Sequence, residues 1–153
     1  MSKDPPLYRL LNQDRDTVLA DRVRLAGSSS ARRIGLRRHV LVETVQGLAL
    51  APCEALHTFG MRFSIDVIFL DAKYHIRRVV ESLKPNRIAV CFSAELAVEL
   101  LPGRVRGSGS VTGDLLRFER VTDQRRTDPG QGLAYLTCSE EVRRELPIDL
   151  NLP

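Results

Sequence analysis

Residues 53–71, CEALHTFGMRFSIDVIFLD, hold the reading on which the fold turns. In the second half Phe63, Ile65, Val67 and Phe69 fall on one side of an extended chain. Ser64, Asp66, Ile68 and Leu70 fall on the other. Both sides become apolar toward the end, the pattern of a strand covered on two faces. The first half crowds Cys53, His57, Thr58 and Gly60 at the entrance to that run. The expectation is a central strand with a polar mouth.

Working outward, residues 71–75 (DAKYH) have the polarity of a hairpin connection, and 75–83 (HIRRVVESL) read as the partner strand. Residues 87–92 (RIAVCF) and 95–102 (ELAVELLP) are further strand candidates. In the second, Leu96, Val98 and Leu100 face one way, and Ala97, Glu99 and Leu101 the other. Upstream, GLALAP ends on Pro52, which cannot donate to a sheet ladder and suits a strand end. Residues 7–11 and 17–25 flank the polar NQDRD as a strand–turn–strand opening. The serines before residues 31–39 suit the N-terminus of one short helix. GRVRGSGSVTGD, 103–114, reads as a loop or tight turns before a last strand at 115–121. Beyond it, residues 122–132 read as a linker, and Thr137 with Glu140 forms a capping box ahead of a short helix.

Strands at such short intervals, with few helical patterns between them, predict a mainly β single domain: a β-sandwich or jelly-roll-like barrel with one or two short helices. The expected organisation is an N-terminal segment, 1–27, packed on the core, a β domain at 28–120, and a linker with a C-terminal helix at 121–153.

Composition bounds the function classes. A chain of 153 residues is long enough to bury roughly 70% of its unfolded surface in one core. The apolar fraction of 43% beside 27% charge is that of a soluble globular protein. No apolar run approaches the ~20 residues of a membrane span. The opening MSKDPPLYRLLNQDRD puts charges and prolines where a signal peptide is apolar, so the cytoplasm is the expected location. Cys53, Cys91 and Cys138 form no C-x-x-C pair and read as free thiols. A net charge of +4 and an aromatic content of 5% make nucleic acid an unfavoured partner, and the paired arginines read as solvated surface.

The chemistry-bearing residues are weighed one group at a time. Cys53 and His57, four apart in an extended chain, sit about 13 Å from each other, too far for proton transfer or a shared metal ion. Metal ligation by His57 would also need further convergent ligands, and none stands at recognisable spacing, so no metal is expected. Asp66 and Glu99 are acids among apolar neighbours, which must be hydrogen-bonded, paired, or brought together as a general acid and base. Met61 fills space beside them, Gly60 permits a backbone that larger residues avoid, and Asp114 closes a turn. The leading expectation is a non-catalytic module binding a small molecule or a protein, with His57, Thr58, Met61, Asp66, Glu99 and Asp114 lining a polar pocket at the strand mouth. The alternative is a hydrolase or lyase using the Asp66 and Glu99 carboxylates, with a metal held by His57. No cofactor is named by the sequence.

The blocks His57-Thr58, Gly60-Met61, Ile65-Asp66-Val67-Ile68-Phe69, Glu99 to Gly103 and Gly113-Asp114 resemble the domain-of-unknown-function 192 family across roughly residues 28–118. Val98 stands where leucine is commoner in that pattern, and Ser64 where proline is usual. The resemblance implies a mostly β, sandwich-like single domain and carries no reaction with it.

Overall fold

The computed structural model describes residues 6–26 and 45–121, with the backbone of 136–137. The helices expected at 31–39 and after Thr137, and the linker at 122–132, lie outside the described residues. Ten strands and one short helix follow in chain order. They are β1 (Leu7–Asn12), β2 (Thr17–Ala26), β3 (Gly47–Leu50), β4 (Ala55–His57), β5 (Ile65–Leu70), β6 (Ile76–Leu83), β7 (Ile88–Val90), β8 (Leu96–Leu100), α1 (Arg104–Ser108), β9 (Leu116–Arg120) and β10 (Leu136–Thr137). Eight form one sheet in the order β10-β9-β1-β2-β3-β8-β5-β6, and β4 and β7 form a separate two-stranded ribbon.

Of the apolar run 63–70, residues 65–70 become β5, buried at every position between β6 and β8, while Phe63 and Ser64 precede it half-buried. β8 is likewise buried throughout. Two cores account for this. Ile68 and Leu70 of β5, with Leu96, Val98 and Leu100 of β8, join Tyr8, Leu10, Val23, Leu116 and Phe118 in one cluster. Ile65, Val67 and Phe69 join Leu48, Leu50 and Ala97 with Leu56, Met61 and Ala89 on the opposite face. Alternation along each strand thus feeds two layers, and the β4–β7 ribbon covers the second.

Residues of β9 and β5 share the first core although four strands separate them in the sheet order, so the sheet curls. It nearly closes where the start of β6 meets the start of β9. Ile76 N–H donates to the Asp114 carbonyl (2.9 Å), Gly113 N–H to the Ile76 carbonyl (2.8 Å) and Leu116 N–H to the Tyr74 carbonyl (3.0 Å). The result is a mainly β, barrel-like single domain.

Local chemistry sets the turns. In the β1–β2 hairpin the Asn12 side-chain oxygen accepts from the N–H groups of Asp14 and Arg15, and Asp16 takes a left-handed φ of 52°. In the β5–β6 hairpin Asp71 Oδ1 accepts from the N–H groups of Lys73 and His75, so residues 71–75 are the connection expected. β2 and β3 run parallel, with Val23 beside Gly47. At Gly47 an added Cβ would stand 2.8 Å from Leu100 Cδ2 and 3.0 Å from the Glu99 carbonyl, so close strand approach requires glycine there.

Two local readings change. The stretch 103–114 is not wholly loop: residues 104–108 form α1, bounded by Gly103 (φ 86°) and Gly109 (φ 69°) in left-handed conformations. Glycine therefore ends the turn of helix rather than preventing it. Residues 55–57 form a strand, β4, which their polarity did not announce; pairing with β7 supplies it.

Candidate functional site

The polar mouth of β5 is built chiefly by Thr58. Its hydroxyl donates to the Lys84 carbonyl (2.6 Å) and accepts from Arg87 N–H (2.9 Å). Its own N–H donates to the Arg87 carbonyl, and its carbonyl accepts from Asn86 and Met61 N–H. Fully buried, Thr58 clasps the end of β4 to the loop entering β7. Gly60 turns the chain next to it with φ 77°, the backbone expected of that glycine. Met61 is buried in the second core among apolar side chains.

Asp66 is also fully buried. Oδ1 accepts from Ser82 N–H on β6 (2.9 Å), and Oδ2 accepts from Val105 N–H in the first turn of α1 (3.0 Å). Two backbone donors thereby compensate a buried acid and hold three elements together. Glu99, buried at 3% exposure, pairs in register with Val67 and with Leu48. Asp66 pairs instead with Leu100. Asp66 accordingly projects on the side of Leu100 and Glu99 on the side of Val67 and Leu48, opposite faces of the sheet. The structure does not bring the two carboxylates into one cavity, which corrects the expectation of a paired acid and base. β8 starts one position too late relative to β5 for them to share a face.

Asp114 belongs to a third place, beneath the barrel end. Its Oδ2 accepts from Arg15 Nε (2.5 Å), Asn12 Nδ2 (2.8 Å) and Val111 N–H (3.0 Å). The Arg15 hydrogen bond, helped by those from Asn12 and Val111, lowers the Asp114 pKa from 3.8 to about 2 against an opposing push from burial. Asn12 Nδ2 also donates to Ser110 Oγ (2.9 Å), which lies 2.7 Å from Ser108 Oγ. Thr17 Oγ1 donates to the Ser108 carbonyl (2.8 Å). Asn12, Arg15, Ser108 and Ser110 were not singled out from the sequence. Asn12 stands 98 and 102 positions from its partners Ser110 and Asp114, and no local pattern marks the pairing. These bonds run between the β1–β2 turn, α1 and the turn before β9, so the network anchors the three to one another.

His57 alone of the six predicted residues stands open to solvent. It lies opposite Ile88 in the ribbon, so both side chains stand on its outer face, with Ala55 and Val90 forming the next pair. The imidazole stacks on Phe59, ring centroids 4.8 Å apart, while its Nδ1 accepts from Phe59 N–H (3.2 Å). Beside it Phe59, at 48%, and Ile88, at 62%, are apolar and exposed, and Phe92, at 83%, is exposed past the far end of β7. Arg62, Lys84 and Arg87 are exposed nearby. This surface has no acid–base pair. Among the described residues no three His, Cys, Asp or Glu side chains gather as a metal would require. Nor, among them, is any helix long and apolar enough to cross a membrane.

A curled mixed sheet with a covering ribbon, a sealed polar clasp at the mouth of its central strand and a buried Asn-Asp-Ser anchor define a barrel-like β domain. The chain belongs to the domain-of-unknown-function 192 family, described as uncharacterized ACR, COG1430, whose pattern matches residues 10–118. The match takes in the second half of β1 and all of β2, beyond the stretch from residue 28 on which the motifs alone had carried the resemblance. Two solved structures share the fold. One is a Sinorhizobium meliloti 1021 protein whose assignment as a transcription regulator is provisional: 22% identity, TM-score 0.64, covering 77% of this chain and 96% of that one. The other is a protein of unknown function from Novosphingobium aromaticivorans DSM 12444: 16% identity, TM-score 0.60, covering 72% of this chain and 82% of that one. None of the curated proteins compared with the chain is similar to it.

Proposed function

We propose that this chain is a non-catalytic, partner-binding module whose contact surface is the outer side of the β4–β7 ribbon around His57. The observation that carries the reading is where the exposed apolar side chains collect. Four large hydrophobic residues are exposed among the described residues, and three of them, Phe59, Ile88 and Phe92, lie on the ribbon or just past the ends of its strands. Single exposed apolar residues are ordinary, but a contiguous group on one element marks an interaction site. Side chains this exposed suit contact with a protein better than with a small molecule, which is bound in a concave site. Catalysis by Asp66 and Glu99 gains no support from carboxylates on opposite faces of a sheet. A reducing compartment such as the cytoplasm suits the free thiol of Cys91.

The test is site-specific photo-crosslinking in cells. A crosslinking side chain at position 88 should yield a discrete protein adduct, and the same group at Lys73 in the β5–β6 turn should not. Phe92→Ser should remove the adduct at position 88. Equal labelling from both positions, or none from position 88, would overturn the reading.

A further inference from the structure

We infer that the partner at this surface is a protein segment carrying acidic side chains beside aliphatic or aromatic ones; this rests on the binding reading above. Charge is what selects it. Residues 55–64 and 82–94, which make both ribbon strands and the turns leaving them, contain Arg62, Lys84 and Arg87 and no Asp or Glu. The positions of Lys84 and Arg87 are set by the fold, because the Thr58 hydroxyl bonds to the main chain of both. At the other end of the ribbon the exposed Arg78 guanidinium donates to the Val90 carbonyl, and Arg77 Nε lies 3.5 Å from Ser93 Oγ. The acids closest in sequence are Glu54 and Glu95 at that same end, away from His57, and Glu81, which is engaged by Arg106 at 3.2 Å.

An apolar strip whose His57 end carries Arg62, Lys84 and Arg87 without an acid complements a segment that sets acids beside apolar side chains, since opposite potentials meet across specific interfaces. A second copy of this chain is disfavoured. Two-fold pairing that brings the His57 ends together would set Arg62, Lys84 and Arg87 among their own counterparts, and pairing that brings opposite ends together would set them against Arg77 and Arg78 as well as Glu54 and Glu95. Single-stranded nucleic acid is disfavoured too. Ala55, Ile88 and Val90 are aliphatic and Phe59 already stacks on His57, which leaves one ring, Phe92, open to a base, where single-stranded binding sites stack successive bases on several.

The experiment uses the full chain and defined probes: a fluorescein-labelled peptide alternating Glu and Leu, its Lys–Leu counterpart, and an oligothymidylate, read by fluorescence anisotropy. The Glu–Leu peptide should bind and weaken as salt is raised, and the Lys–Leu peptide should not bind. Arg87→Glu should weaken the Glu–Leu complex by about tenfold or more through charge reversal at the rim. Ile88→Asp should abolish it. Equal binding of both peptides, tighter binding of the oligonucleotide, or no effect of Arg87→Glu would overturn the acidic assignment. In each of those cases, loss of binding in Ile88→Asp would leave the ribbon as the contact surface. Binding indifferent to Ile88→Asp would overturn the surface itself. No binding by any probe would overturn the acidic assignment and return the surface to the crosslinking test.

Discussion

Replacing Asp114 by Asn tests how the β1–β2 turn is anchored. Asparagine keeps an oxygen for the N–H of Val111 and the amide of Asn12 but loses the charge that Arg15 grips at 2.5 Å. Because the folded-state pKa is lowered, the stabilisation is fully present above the ordinary value near 4 and lost as pH falls through the folded value near 2. A fall from 3.8 to about 2 corresponds to about 2 kcal/mol of stability at neutral pH. Asp114 is 11% exposed, so water screens little of this at the carboxylate itself, although Arg15 at 40% is more open. The assay is urea unfolding of both proteins, followed by circular dichroism, at a series of pH values from 7 downward. The wild type should exceed Asp114→Asn by about 2 kcal/mol at pH 7, by about half that at pH 3, and by little at pH 2. A difference that stays constant with pH, or is absent at pH 7, would show that the charge contributes nothing and that the turn is held by neutral hydrogen bonds alone.

Two further substitutions probe the core. Asp66→Ala leaves the N–H groups of Ser82 and Val105 without their acceptor; at roughly 1–3 kcal/mol for each buried orphan, the cost should be about 2–6 kcal/mol. A urea midpoint unchanged from wild type would contradict the bracing role. Gly47→Ala drives a methyl against Leu100 and the Glu99 carbonyl and should cost about 1–3 kcal/mol, read as a lower thermal midpoint. A gain in stability would mean that β3 and β8 separate easily at that point.

Much of the fold was legible because its signals are local. The alternation in residues 63–70 placed Asp66, Ile68 and Leu70 on one side and Ile65, Val67 and Phe69 on the other, and the two cores follow that division. The same held for Leu96, Val98 and Leu100 against Ala97 and Glu99, and the Asp71 turn announced its hairpin. The candidate site was less legible. His57, Thr58, Met61, Asp66, Glu99 and Asp114 looked alike as polar or unusual groups near strand ends, yet the fold sends them to different places. Thr58 and Asp66 bind main chain, Met61 fills the second core, and Asp114 holds an arginine ninety-nine positions away.

Sequence alone therefore determined which side of each strand is apolar, since a period of two along the chain needs no knowledge of its neighbours. Tertiary structure alone decided which strands lie side by side and in what register. A displacement of one residue between β5 and β8 sends Asp66 and Glu99 to opposite faces, and nothing within either strand encodes it. The ribbon surface is of the same kind. His57 and Ile88 are thirty-one positions apart, and only the pairing of β4 with β7 sets an imidazole, an aliphatic strip and a cationic rim together.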